Sequence, residues 1–557
     1  MKSKNNKAIN YISIKKEIIS KLENSEELKY NNRNYNFGSV LSTPIILDQI
    51  FKFSDSKDIK NLSLCNKKIY LLYCDNVKSL KIYKEDNILN IIKLFKKYRN
   101  INDLDLSECN NLDISLNNNH LCFRKIKKLN LRENEKIQNF NFKFNFENLE
   151  ILNVSRTSIS DISFLEKLNI KELYLSNCFV EDCTPISKLK SLEILDISST
   201  YVVDISFLEK TENIKDLNLS ECRLNKRDFS PISKLKKLEV LDVSFTNIDN
   251  ISFLYNNKNI TNLKVKGSNF GGLIIGDFTP ISKLEKLEIL EVNYTNFTDF
   301  SLLEKLNIKE LNLSNCYDIE DFTLLSKLEK LETLFLSYTK FSDISILEKN
   351  KNLKKLYFHS CYYIDDFKPL SKIEKLEILS VRETNILFLE KLNIKALYLS
   401  SKDIKDFIFI SQLKRLEILC ITESNISDIS FLVKLNIKKL DLSHCKNIKD
   451  FTPISKLERL EILDLSSTKI SDIKFLENNK NIKELYFINC WCIKDYIPIS
   501  KLEKLELLDV SWSNFSNVTS NLSFLENNQN LKKLNLYNSR EIYENNNIFK
   551  RKKLKIY

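Results

Sequence analysis

Residues 460–479 read LEILDLSSTKISDIKFLENN, and close copies of this stretch fill the chain from about residue 100 to about residue 539. Leu460, Leu463 and Leu465 set a spacing that Ile470, Ile473 and Leu476 answer. A strand over LEILDLSST puts Leu463 and Leu465 on one side and Asp464 and Ser466 on the other, because side chains alternate along a strand. Ile470, Ile473, Phe475 and Leu476 then return the chain to the apolar side through a turn and a short helical segment. One such unit cannot bury its apolar side alone. Stacked copies can, with parallel strands about 4.8 Å apart.

Aligned on the LxxLxL start, about twenty copies follow one another from Ile101 to Leu531, usually about 21 to 23 residues apart, with a weaker copy at Val77, Leu80 and Ile82. The copies alternate. One kind ends its strand in Thr or Ser, as at Thr157, Thr200, Thr295, Thr339 and Thr468, and continues in the manner of ISDISFLEKL. The other ends in Cys, as at Cys178, Cys222, Cys316, Cys361, Cys445 and Cys490, and continues in the manner of DFTPISKLEKL. The sequence unit is therefore a pair of about 45 residues. Pro185, Pro231, Pro280, Pro369, Pro453 and Pro498 fall in the second kind, usually after a Thr or Ser. That order of cap and proline predicts a helix of one or two turns in each second-kind copy, with a 3₁₀ turn in the first kind.

A sustained period of this length is that of leucine-rich repeats. The wording LDLSSTKISDIKFL resembles the internalin-like type of that family over most of the chain. The resemblance implies an α/β leucine-rich-repeat solenoid: a curved parallel sheet on the concave face, short helices and 3₁₀ turns on the convex face. It also implies that the strand-end cysteines replace an asparagine that bonds the backbone of the next turn. We read them as small, weakly polar side chains under the loop. One copy departs from the rule: from Ile260 to Leu287 the step grows to about 27 residues and holds Gly267, Gly271, Gly272 and Gly276. Glycine permits positive φ and close backbone approach, so a bulge, a bend or a projecting contact loop is expected there.

Composition narrows the function. The chain has 557 residues, 43% hydrophobic and 29% charged, and no apolar run near the roughly 18 residues a membrane helix needs. Its first residues, MKSKNNKAINYISIKKEIIS, mix lysine into the apolar positions and lack a secretory core, so a cytoplasmic protein with no membrane contact is expected. Thirteen cysteines, several at one repeat position, read as reduced thiols rather than a disulfide framework. The formal charge of +12 is spread over 86 basic and 74 acidic residues, with lysines recurring as KLEKL and NIKEL. This predicts a mixed-charge solvated face and no nucleic-acid partner. No catalytic triad, phosphate loop or metal-ligand spacing rises above the repeat wording, so no enzyme, cofactor or metal site is expected. Cys490 and Cys492 lack a second ligand pair, and His120, His359 and His444 are isolated in sequence.

Ahead of the repeats, residues 1–40 are polar, and residues 41–76 read as three short helices. Ser42 or Thr43 can cap the first, with Pro44 at a favoured first position and Leu47, Ile50 and Phe51 on its apolar face. Pro44, Leu47, Ile50, Phe51 and Phe53, then Asp58, Ile59, Leu62, Leu64, Cys65, Lys67 and Tyr70, resemble the F-box. Departures are Thr43 where leucine commonly precedes the proline, Ile45 and Ile46 where an acidic residue is common, and Tyr70 near the usual tryptophan. The resemblance implies docking on a Skp-type adaptor of a cullin-RING ubiquitin ligase, through Pro44, Leu47, Ile50, Phe51, Leu62 and Cys65. The alternative is a cap that covers the open apolar edge of the first repeat. The expected layout is thus a solenoid over 77–540 and a basic cap or tail over 541–557.

The side chains between and just after the strand leucines face outward on the inner sheet. Tyr294, Phe335, Tyr338, Tyr357, His359 and Arg382 are expected to form one patch there, and Tyr486 and Trp512 a smaller one. Exposed aromatics beside an arginine have the composition of interface anchors for a protein partner. Tyrosines that merely stack on their neighbours along the sheet would give the same pattern.

Overall fold

The computed structural model describes residues 78–82, 100–109, 121–138 and 146–538 with short breaks, together with 555–556. The helices expected at 41–76, with Pro44, Leu47, Ile50, Phe51, Leu62 and Cys65, lie outside the described residues. The chain divides into two compact units, residues 1–247 and 248–557.

In the first unit, β1 (Ser79–Lys81), β2 (Asp103–Asp105), β3 (Lys128–Asn130), β4 (Ile151–Asn153), β5 (Glu172–Tyr174), β6 (Ile194–Asp196), β7 (Asp216–Asn218) and β8 (Val240–Asp242) pair in sequence order, all parallel. The weak copy at Leu80 is thus a strand, in register with Leu104. In the second unit the same ladder runs through β9 (Asn262–Lys264), β10 (Ile289–Glu291), β11 (Glu310–Asn312), β12 (Thr333–Phe335), β13 (Lys355–Phe358), β14 (Ile378–Val381), β15 (Ala396–Leu399) and β16 (Ile418–Ile421). It continues through β17 (Lys439–Asp441), β18 (Ile462–Asp464), β19 (Glu484–Tyr486), β20 (Leu507–Asp509), β21 (Lys533–Asn535) and β22 (Lys555–Ile556). Within the paired strands of each unit the central leucines stack, as Leu440 on Leu463 on Leu485, and these three are fully buried. Truncating one to alanine removes about 2–5 kcal/mol.

Ile470, Ile473, Phe475 and Leu476 return to this core as the spacing required. Ser466 is buried by its neighbours, and its hydroxyl accepts from the Ile488 amide of the next copy at 3.2 Å.

The proline-bearing copies carry 3₁₀ turns of the same kind as the others: Thr184–Lys188, Thr279–Lys283 and Thr452–Lys456 are five residues each, like Ser163–Lys167 of the first kind. An α-helix about 10 Å wide on every copy would splay strands that must stay about 4.8 Å apart, and the slimmer turn avoids this. Nor do the Thr and Ser hydroxyls cap these turns. The Thr184 amide donates to Asp182 Oδ1 at 2.8 Å, Ser163 does the same to Asp161 and Thr452 to Asp450. The cap is the aspartate two residues earlier.

The alternation of Thr and Cys has a structural cause. Thr157 Oγ1 donates to the Val154 carbonyl at 2.7 Å, and Cys178 Sγ of the following copy reaches back to the same oxygen at 3.1 Å. Thr200 and Cys222 meet on Ile197, Thr295 and Cys316 on Val292, and Thr468 and Cys490 on Leu465. The thiol therefore serves the preceding copy, not the next turn. Asn134, at the same position, does both tasks alone, donating to Leu131 and to Leu106 of the copy before. At the other end of the strands the same pairs are joined by lysine and glutamate: Lys171 to Glu150, Lys309 to Glu288, Lys354 to Glu332 and Lys483 to Glu461. These ion pairs are exposed and individually weak.

The glycine-rich insert folds against its successor. The Leu273 amide donates to the Tyr294 carbonyl at 2.9 Å, and Asn296 bonds both the amide and the carbonyl of Ile275. A Cβ on Gly267 would lie 2.0 Å from that Tyr294 oxygen, whereas Gly271 has open space. Close approach, not positive φ, is what glycine supplies here, since none of the described glycines has positive φ.

Candidate binding face of the sheet

Two residues beyond the second core position of most described copies, the backbone turns left-handed without glycine. Arg156, Asn177, Tyr294, Asn315, Tyr338, His444 and Trp512 all have φ between 55° and 63°. The strain is offset by a ladder bond, for the amide of this residue donates to the next copy: Tyr338 to the His359 carbonyl and Trp512 to the Tyr537 carbonyl, both at 2.8 Å. At this position Tyr338 and Trp512 are 42% and 49% exposed. A second set of exposed rings, Tyr317 and Trp491, follows the strand-end cysteine. The sequence reading passed over both, although each repeats that position and was open to detection by register.

The expected patch is assembled in part. Phe335 and Tyr357 face each other across β12 and β13 and stack with centroids 4.4 Å apart and planes 9° apart. His359 Nε2 meets the Ser380 hydroxyl of β14, and burial followed by the nearby Arg382 charge holds its pKa below the usual value. Tyr398 of β15, two strands from Tyr357, joins this group, and its phenol is pushed up by burial. Arg382 itself is exposed at the end of β14.

Tyr294 is not on the adjoining copy. The β11 copy lies between it and Tyr338, and Tyr317 stands there, its hydroxyl donating to Asn315 Oδ1 at 2.7 Å. Burial, then Tyr294 and Tyr338, raise the Tyr317 pKa.

Tyr486 and Trp512 have other partners. Tyr486 donates to Glu484 at 2.9 Å, and burial together with that carboxylate pushes its phenol up. Trp512 meets Tyr537 edge-on at 5.9 Å. Tyr174 of the first unit repeats the Tyr486 arrangement, donating to Glu172 at 3.1 Å with its pKa pushed up to about 12 by burial and that glutamate.

Among the described residues no His, Cys, Asp and Glu cluster could hold a metal ion, and no helix is long and apolar enough to cross a membrane. The strand-end thiols are buried, and burial pushes those of Cys316, Cys445 and Cys490 up to about 11, far from thiolate reactivity.

Repeating parallel strands of one register, each followed by a short turn that returns to a leucine core, decide the matter. The chain is a leucine-rich-repeat protein. Family models for leucine-rich repeats match within it: the Zer-1-like leucine-rich repeats over residues 183–269, and a two-copy leucine-rich-repeat model over residues 329–372 and 435–478. No curated protein matches the chain. Among solved structures, TLR13 in complex with ssRNA13 is 20% identical over 86% of this chain and 79% of that one, with a TM-score of 0.50. A leucine-rich-repeat protein of Leptospira interrogans is 19% identical over 77% of this chain and all of that one, at a TM-score of 0.41. An internalin of Listeria monocytogenes is 20% identical over 76% of this chain and 89% of its own, at 0.25. Identities this low speak to the fold of the leucine-rich-repeat protein alone.

Proposed function

We propose that this leucine-rich-repeat protein is a non-catalytic scaffold that holds a protein partner on the concave side, the sheet face of β12 to β15. The observation that carries the reading is the stack of Phe335 on Tyr357 beside Arg382, with the exposed Tyr338 at its edge. Aromatic rings and arginine dominate the energetics of protein interfaces. Other copies suggest substitutions the fold tolerates: Asn312 and Asn218 stand where Phe335 does, and Asn315 where Tyr338 does. Affinity capture from cells with the wild type and with Phe335→Asn/Tyr338→Asn tests the reading. A partner retained by the wild type and lost by the equally stable variant supports it, and identical captures would reject it.

The finer reading concerns what the scaffold serves. The F-box-like wording of residues 41–76, directly ahead of the repeats, favours a substrate-recognition subunit of a cullin-RING ubiquitin ligase in the cytoplasm, with a Skp-type adaptor on Pro44, Leu47, Ile50, Phe51, Leu62 and Cys65. The competing reading makes the same helices a cap on the solenoid. Replacing Leu47 and Ile50 by glutamate separates them. The ligase reading predicts loss of adaptor from the capture at unchanged melting temperature, and the cap reading predicts a lower melting temperature.

A further inference from the structure

On the sheet face, the cations of Lys81, Lys264 and Lys266 are neutralised by their neighbours. Lys81 reaches Asp105 at 2.8 Å, and Lys264 and Lys266 reach Glu291 at 3.2 and 2.7 Å. The carboxylates record it: burial works to raise the pKa values of Asp105 and Glu291, yet the lysines bring both below the usual range. Lys355 of β13 and Arg382 at the end of β14 differ. Both are exposed, they sit on adjacent strands, and neither has an ion pair among the described residues. The strand positions of β12 to β15 include no carboxylate. The nearest strand carboxylate on this side is Glu310 of β11, two strands from Lys355.

We infer that the β12–β15 face docks a short acidic peptide segment of a protein partner, with one Asp or Glu carboxylate on Lys355, a second on Arg382 four residues further along the strands, and an apolar side chain over the Phe335–Tyr357 stack between them. This rests on the scaffold reading above and adds the chemistry of the partner. The opposite charge of the two cations recommends an acidic ligand, and an interface cation left unpaired is costly to bury.

Rings beside cations also suit single-stranded nucleic acid, which needs a basic track along several nucleotides. Here the basic stretch is short. Glu291 and Glu310 stand on one side of it, and Asp441 and Asp464 on the other. The carboxylates of Asp441 and Asp464 would repel a phosphate chain that ran on past the patch. A peptide of a few residues fits within the limits that these carboxylates set.

The test uses the full chain and two fluorescent probes of known composition, the hexapeptide Asp-Glu-Phe-Asp-Glu-Leu and a ten-nucleotide oligouridine. Anisotropy is read at low and at physiological salt. The variant is Lys355→Glu/Arg382→Ser, since Glu172, Glu310 and Glu484 occupy the first position in other copies and serine commonly occupies the second. The expected result is salt-sensitive binding of the peptide that weakens at least about tenfold in the variant at unchanged melting temperature. Tighter binding of the oligouridine, no peptide binding, or peptide binding indifferent to the variant would each overturn the proposal. The scaffold reading fails separately. If Phe335→Asn/Tyr338→Asn abolishes capture of a partner while Lys355→Glu/Arg382→Ser does not, the face docks a protein and the acidic ligand is wrong.

Discussion

The β5–β8 face of the first unit and the β12–β15 face of the second are built on the same leucine frame and carry opposite chemistry. The first presents Glu172, Asp196, Asp216, Glu221 and Asp242 with no lysine or arginine at its outward strand positions. Of its exposed rings, Phe179 and Tyr201 stack on each other at 5.9 Å beyond the strand-end cysteine and threonine, and Phe245 stands at the position of Tyr338. The second presents Lys355, His359 and Arg382 around Phe335 and Tyr357. Buried and outward positions are thus independent variables: the frame sets register and stability, and the outward residues set which ligand each face accepts.

Core truncation sharpens this most strongly. Leu195→Ala in β6 and Leu356→Ala in β13 remove equivalent, fully buried side chains, so each is expected to cost about 2–5 kcal/mol by denaturant unfolding. A large effect in one region only would show that the two frames are not alike.

Next is the insert, which only one region has. Gly267→Ala drives a methyl into the Tyr294 carbonyl and is expected to cost about 1–3 kcal/mol, while Gly271→Ala stays near neutral. Equal melting temperatures for the two variants would contradict the close-approach account.

A smaller effect tests the paired unit in both regions. Thr200→Val and Thr339→Val each remove a hydroxyl from a carbonyl shared with a cysteine of the next copy. Each is expected to cost about 0.5–1.5 kcal/mol. Because the donors share one acceptor, double-mutant cycles with Cys222→Ala and Cys361→Ala should be non-additive. Strict additivity would mean the thiols only fill space.

The smallest effect is peculiar to the second face. The folded protein holds His359 neutral with a lowered pKa. As pH falls below about 6.5 the unfolded chain takes up this proton first, so the stability present above that pH declines toward the folded pKa. Between pH 7.5 and 5.5 the wild type should lose slightly more melting temperature than His359→Gln. Parallel losses would remove burial of the ring from the account.

The period, the leucine core and the Thr/Cys alternation were legible because each repeats in sequence. What the alternation does was not. Two residues about 22 positions apart converge on one carbonyl only after the copies stack, and the bond of Ser466 to the Ile488 amide likewise depends on the next copy. Proline after Thr suggested helices, but the strand spacing limits them to 3₁₀ turns. For the binding face, register alone brought Phe335 beside Tyr357. It could not separate rings that stack on a neighbour from rings held by a hydrogen bond, and Tyr486 proved to be of the second sort.

Hydrogen exchange of the full chain, alone and with its captured partner, tests the central claim most directly. The account predicts slowed exchange over residues 333–358 and 378–382, with residues 172–242 unchanged. Protection confined to 172–242, or absent from 333–382, would contradict it.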